Sequence, residues 1–340
     1  MVAGMIIKEI EYRVVDREFG PGVISIVLSG AVASLIGAMA HFTGDSVSMH
    51  SPILFPIFGF VVGLAITFRM QSSYNRWWDG RIQWDKLSAN SRSFARTIWL
   101  HVPQPASLDE AVMIQDVARR IEVIRCVHTL AVALKHHLRG ERDWSECRDL
   151  KKLCEHLPNY NYAATNHPLT ITLHLSAYID EYRRTTPIDT QVLTHLLTHL
   201  DVFTSIISAC ERLLRTPIPL GYNIAISRIV WIFIFALPSQ LWRELRWWSI
   251  AVTMVTAYAL FALAEVGLEI ENPWGEGPND LDLDRYCNLL ALDLDETMAH
   301  PQSSKISSSS SRTVSLHDEM ANFSDLVDIE NNIHLEHNNL

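Results

Sequence analysis

The amino-acid sequence predicts an all-α membrane protein, with four transmembrane helices and a cytoplasmic helical bundle in each subunit. Three observations predict this. Charged residues vanish from four long apolar stretches, which form an early and a late pair. The region between the pairs spaces its apolar residues as helices do, with no convincing strand. Six Lys and Arg crowd the segment that follows the second stretch. Such a bias marks the cytoplasmic side of a membrane protein.

The first span is written in residues 19–44, which contain no Asp, Glu, Lys or Arg. About 20 such residues in a helix cross a hydrocarbon core of roughly 30 Å. Gly30 and Gly37, among Ala and Ser, suit close helix packing in lipid. The second charge-free run is 46–68, and its helix is expected to end at Arg69. Pro52 and Pro56 stand near its start, where proline fits a first helical turn. A short loop around Gly44–Ser51 turns the chain between the two. In the late pair, residues 221–242 hold one charge, Arg228, and residues 247–264 hold none. Arg228 stands near one end, within snorkelling reach of the interface. The intervening Leu241–Trp248 mixes Trp and Arg, as interfacial turns do.

Arg69, Arg76, Arg81, Lys86, Arg92 and Arg96 follow the second span, whereas the first loop has no Lys or Arg. The middle region and both termini are therefore expected in the cytoplasm, although Arg243 and Arg246 lie on the opposite turn. The middle region reads as helices over Leu108–Leu138, Trp144–Leu157, His167–Arg184 and Ile188–Arg215, punctuated by Pro158, Pro168 and Pro187. From Pro301 a serine-rich, then acidic and polar sequence predicts disorder. The expected organisation is a cytoplasmic N-terminal segment (1–19), spans one and two (20–68), a cytoplasmic helical region (69–220), spans three and four (221–264), a post-membrane segment (265–300) and a disordered tail (301–340).

Composition removes other classes. The formal net charge of −10 disfavours a nucleic-acid partner. Cys126, Cys147, Cys154, Cys210 and Cys287 form no CxxC pair and read as reduced thiols. No cleavable signal peptide is evident. His195 and His199 form HxxxH, an incomplete metal site better read as a partly exposed helix face. There is no phosphate-binding glycine loop and no nucleophile elbow. Neither an enzyme nor a cofactor is expected.

Candidate functional residues come first from spacing. Phe60, Leu64 and Phe68 fall at i, i+4 and i+8, on one face of the second span. Such faces, turned inward from several subunits, would enclose a tube that gates by dewetting. Spacing alone does not separate this from packing against other helices or lipid. The segment Phe68–Gly80, FRMQSSYNRWWDG, then carries Arg76, Trp77 and Trp78 out of the membrane. A second block, CERLLRTPIPLGYNIAISR (Cys210–Arg228), holds Pro217 and Pro219. A third, EIENPWGEGPNDLDLDRYC (Glu269–Cys287), holds Asn272 and Pro273. In this order the three resemble the hallmark segments of the bestrophin family, in its bacterial and fungal branch, over roughly residues 20–295.

The resemblance implies a homopentameric ion channel with one central pore, in the lipid bilayer, with four membrane helices per subunit. It implies a neck of three apolar residues, which counting back from the Arg-Trp-Trp element places on Phe60, Leu64 and Phe68. Leu64 is smaller than the Phe of animal members. A second constriction at the cytoplasmic exit has Ile188 as its candidate, where a plain helix N-terminus is an equal reading. Animal members bind calcium with an acidic cluster just after the Asn-Pro step within this third block. Here Glu276 and Asp280 are the carboxylates left, and calcium takes six to eight oxygen ligands. No tight calcium site is expected. The Asn272–Pro273 step is expected to end the fourth helix, and Glu265 and Glu269 to be solvated or paired with the arginines after span two. Chloride or another monovalent anion is the family's usual cargo. A cation-selective channel of the same fold, a secondary transporter and a membrane-anchored scaffold are the alternatives.

Overall fold

The computed structural model describes residues 21–43, 54–104, 110–142, 144 and 146–301. The expectations for segment 1–19, for the Gly44–Ser51 loop, for Pro52 and for the tail after Pro301 lie outside the described residues. The described residues form nine α-helices and one π-helical turn. They are α1 (Pro21–Thr43), α2 (Leu54–Arg96), the π turn (Thr97–His101), α3 (Glu110–Arg139), α4 (Arg148–Glu155), α5 (His167–Thr185), α6 (Thr190–Arg215), α7 (Leu220–Leu245), α8 (Trp248–Glu269) and α9 (Leu283–Ala299). The chain divides into two compact units. One comprises Met1–Trp78 and Pro217–Pro273, the other Asp79–Thr216 and Trp274–Leu340.

The first unit holds the four charge-poor helices. In it α1 packs on α8 and α7, and α7 packs on α8. The small residues of α1 make these approaches possible. A Cβ on Gly37 would stand 2.7 Å from the Trp242 ring, and one on Gly30 would stand 3.0 Å from Met254 Sδ. Lipid tails are as apolar as leucine, so close van der Waals packing supplies the cohesion. The buried face of α2 joins through Val62 and Ile66, which meet Ile226, Val230, Phe233, Ile234 and Ala257. Phe55 stacks on Phe233 with centroids 4.7 Å apart. α7 continues through Pro238, as membrane helices tolerate when neighbours re-satisfy the freed carbonyl.

The helix begun by the second span does not end with its charge-free run at Arg69. It continues to Arg96. Between those residues the sequence contains no proline, and Gly80 is the one glycine, too little to stop a helix with strong formers on both sides. A hydrocarbon core needs about 20 residues, so less than half of this 43-residue helix suffices to cross one.

The second unit is built around α3, which is enclosed on every side from Cys126 to His136. Val123, Ile124, Val127, Leu130, Ala131 and Leu134 are all fully buried. Each large apolar side chain of this kind contributes roughly 1.5–3 kcal/mol on burial. α3 packs on α5, α9, α4 and α6. At the π turn the amide of Val102 reaches back to the Thr97 carbonyl at 3.2 Å. Buried Arg120, paired with Asp116 at 2.8 Å, donates to the carbonyls of Ile98, Val102 and Pro103 at 2.9–3.0 Å. One guanidinium thus satisfies the carbonyls this irregular helix end leaves open.

Among the described residues five helices are long and apolar enough to cross a membrane, one more than the charge-free runs predict. The extra one is α6. Its apolar side, with Leu196, Leu200, Phe203, Ile206, Ile207 and Leu213, is buried inside the second unit. Its polar groups are also engaged there. Asn90 donates to the His199 carbonyl at 3.0 Å, and Glu211 lies 2.9 Å from His137 and accepts from Asn166 at 3.0 Å.

Candidate functional site: an exposed apolar stripe and its motif junction

α2 presents two unlike faces over its first seven turns. Val62, Ile66, Arg69 and Ser73 are buried, at 5% exposure or less. On the opposite face Ile57, Phe60, Leu64 and Phe68 are 57%, 70%, 42% and 58% exposed. The three residues expected at a neck therefore share one stripe that none of the described residues covers. Gly63 beside them has open space where a Cβ would stand. Toward the C-terminal end the stripe turns polar. Gln71 donates its side-chain amide to Asn75 at 2.8 Å. Tyr74, Trp77 and Trp78 follow as three near-parallel rings with centroids 6.3–6.4 Å apart.

Three segments far apart in sequence meet behind this stripe at Glu271. Arg76 Nε donates to the Glu271 carbonyl at 3.1 Å. The Glu271 carboxylate accepts the amide of Ile218 at 3.1 Å, fixing the strand of chain between Pro217 and Pro219 that opens α7. The same carboxylate is the largest favourable charge acting on buried Arg69. Pro217, Pro219 and Asn272 are exposed around this junction, and Pro273 is buried. Helix α8 ends at Glu269, ahead of the Asn272–Pro273 step. Glu265 and Glu269, expected to be solvated or to meet the arginines, are exposed. Glu271, two residues further on, meets Arg76 through its backbone carbonyl instead.

In the second unit Ile188 is half-buried, one residue before Asp189, whose carboxylate caps α6 by accepting from Gln191 at 3.3 Å. His195 and His199 do not share an exposed face. His195 is exposed, but His199 is buried, with Nε2 3.1 Å from His195 Nε2 and Nδ1 2.6 Å from Asn90 Oδ1. Burial pushes the His199 imidazole down to about 4. The candidate calcium carboxylates are used otherwise. Asp280 accepts the Gly277 amide at 2.7 Å, closing its turn, while exposed Glu276 stands 3.5 Å from Arg139.

Residues 12–296 match the family model described as Bacterial/Fungal Bestrophin protein. The chain belongs to this bestrophin family. Among curated relatives, a voltage-dependent anion channel-forming protein of a Nostoc species is 34% identical over 252 residues, covering 72% of this chain and 78% of the relative. One so named from Synechocystis is 32% identical, with 73% and 78% covered. A crystal structure of a bacterial bestrophin homolog from Klebsiella pneumoniae superposes with a TM-score of 0.69 at 20% identity, over 82% of this chain and 99% of that one. That likeness establishes the fold: an all-helical, multi-pass membrane protein. Within this bestrophin, Arg76 and Pro217–Pro219, both legible from sequence, come together at Glu271, which sequence reasoning misses. Its carbonyl and carboxylate act on partners 195 and 53 residues away. The signal available was its place directly before Asn-Pro.

Proposed function

We propose that this bestrophin is the pore-forming subunit of an anion channel, conducting chloride or other monovalent anions. Five copies surround one axis, and Phe60, Leu64 and Phe68 of each form the neck. Ile188 is the proposed exit constriction, and both termini lie in the cytoplasm. The observation that carries the reading is the bare apolar stripe on α2, opposite a face packed into the subunit. Beyond Arg69 the same face continues as Gln71 and Asn75, where ions leaving a dewetted neck would regain polar contacts. The curated relatives support the class of cargo, and the exposed stripe supports the proposed position of the gate.

Planar-bilayer recording tests both. Under asymmetric chloride, the reversal potential of the purified protein moves toward the chloride equilibrium value. A shift toward the cation value overturns the anion assignment. The triple variant Phe60→Ala, Leu64→Ala, Phe68→Ala removes the dewetting barrier, so open probability or conductance rises several-fold. Unchanged currents and gating show that the neck lies elsewhere.

A further inference from the structure

We propose that the second unit contains a divalent transition-metal site, of zinc-like chemistry, with His136 Nδ1, Glu141 and the Cys147 thiolate as its protein ligands. Among the described residues this is the one group in which three such side chains converge, their ligand atoms all within 4.8 Å of one another. They come from the end of α3, the turn after it, and the residue that starts α4. Imidazole, carboxylate and thiolate form a donor set that zinc takes in tetrahedral sites, at about 2.0–2.3 Å. Ligand atoms in such a site stand about 3.5 Å apart, so movements of about an ångström complete it.

An independent feature points to a metal. The other ring nitrogen, His136 Nε2, lies 2.6 Å from Asp149 Oδ1. That carboxylate is itself held by Lys135 Nζ at 2.7 Å and by the Leu150 amide at 2.8 Å. Without an ion, Nδ1 meets the Glu141 carboxylate and Nε2 meets Asp149, so a bound ion takes the place of the Nδ1 proton between the ring and Glu141 while Asp149 holds Nε2–H. Metal-binding histidines are oriented by carboxylates in this way. Glu141 and Asp149 are about a quarter exposed on their side chains, so the site has a path to solvent. Cys147 is buried. Burial, then Glu141 and Asp149, push its thiol up to about 12, so without a cation it stays protonated. A bound divalent ion removes that proton and balances the carboxylates. The fourth tetrahedral position is open to water.

Cobalt(II) is the probe, added to the full-length channel after chelator treatment. One equivalent per chain gives thiolate-to-cobalt charge-transfer absorption, which zinc(II) abolishes by displacement. Cys147→Ser removes the band. Asp149→Asn keeps the band but weakens binding about 10–100-fold. Glu141→Gln, on the more exposed side of the cluster, weakens binding at least tenfold with the oligomer intact by size-exclusion chromatography. Absence of the band in the unaltered protein, or its survival in Cys147→Ser, overturns the site. In that case His136 is an imidazolium held between two carboxylates and nothing more.

Discussion

His128 sits in the enclosed stretch of α3, where no water solvates an imidazolium. Burial, then the Lys135 ammonium, push it down to about 4, against a smaller opposing pull from Asp149. An unfolded histidine titrates near 6.5. Between those values the unfolded chain binds a proton that the folded one refuses, so stability falls with falling pH. The cost is about 2 kcal/mol at pH 5. Buried His199, also lowered to about 4, adds in the same direction. The prediction is a Tm that drops between pH 7 and pH 5. In His128→Gln, which cannot take a charge, that drop shrinks. An equal drop in the variant shows that the acid sensitivity arises elsewhere.

At the scale of elements, the junction at Glu271 ties α2, the start of α7 and the end of α8. In Glu271→Ala the buried Ile218 amide loses its acceptor, and buried Arg69 loses its largest favourable charge. An orphaned buried donor costs about 1–3 kcal/mol. Glu271→Gln keeps an acceptor oxygen and is the milder change. The expected order of Tm is unaltered protein, then Gln, then Ala; equal values for all three mean that the junction carries no stability.

Such junctions mark where legibility in the sequence stops. The four charge-poor helices follow from solvation, because a charge in hydrocarbon is costly whatever the tertiary fold, so 19–44 and 221–242 announce themselves. That Phe60, Leu64 and Phe68 share one face follows from helical period; the proposal that this face is a neck needed the family motifs as well. The continuation of α2 past Arg69 was hidden because the change from apolar to charged composition marks the solvent, not the end of the helix. Glu271 was hidden because a carbonyl accepting from Arg76 needs no particular side chain. The His136–Glu141–Cys147 cluster was hidden for a related reason. Its spacings follow the turn between α3 and α4 rather than any helical or CxxC register.

For the whole molecule, the membrane topology turns on α6. If this fifth apolar helix crossed the bilayer, the termini would lie on opposite sides. Its middle would place Asp201, exposed on the subunit, in hydrocarbon, at roughly 2.5–3.5 kcal/mol by insertion scales. Packed into the second unit, the same helix buries its apolar side and leaves Asp201 in water. All five native cysteines are buried, so an impermeant maleimide reads introduced thiols against a low background. Asp201→Cys is expected to label from the cytoplasmic side only. Glu244→Cys, exposed beside the α7–α8 turn at Arg246, is expected to label from the outside only. With α6 as a span, Asp201→Cys would resist labelling from both sides until the membrane is dissolved. The labelled side of Glu244→Cys separately fixes the orientation. Labelling of that position from the cytoplasm would invert the topology drawn from the six Lys and Arg after span two, and would place the amide-lined end of the stripe on the outside.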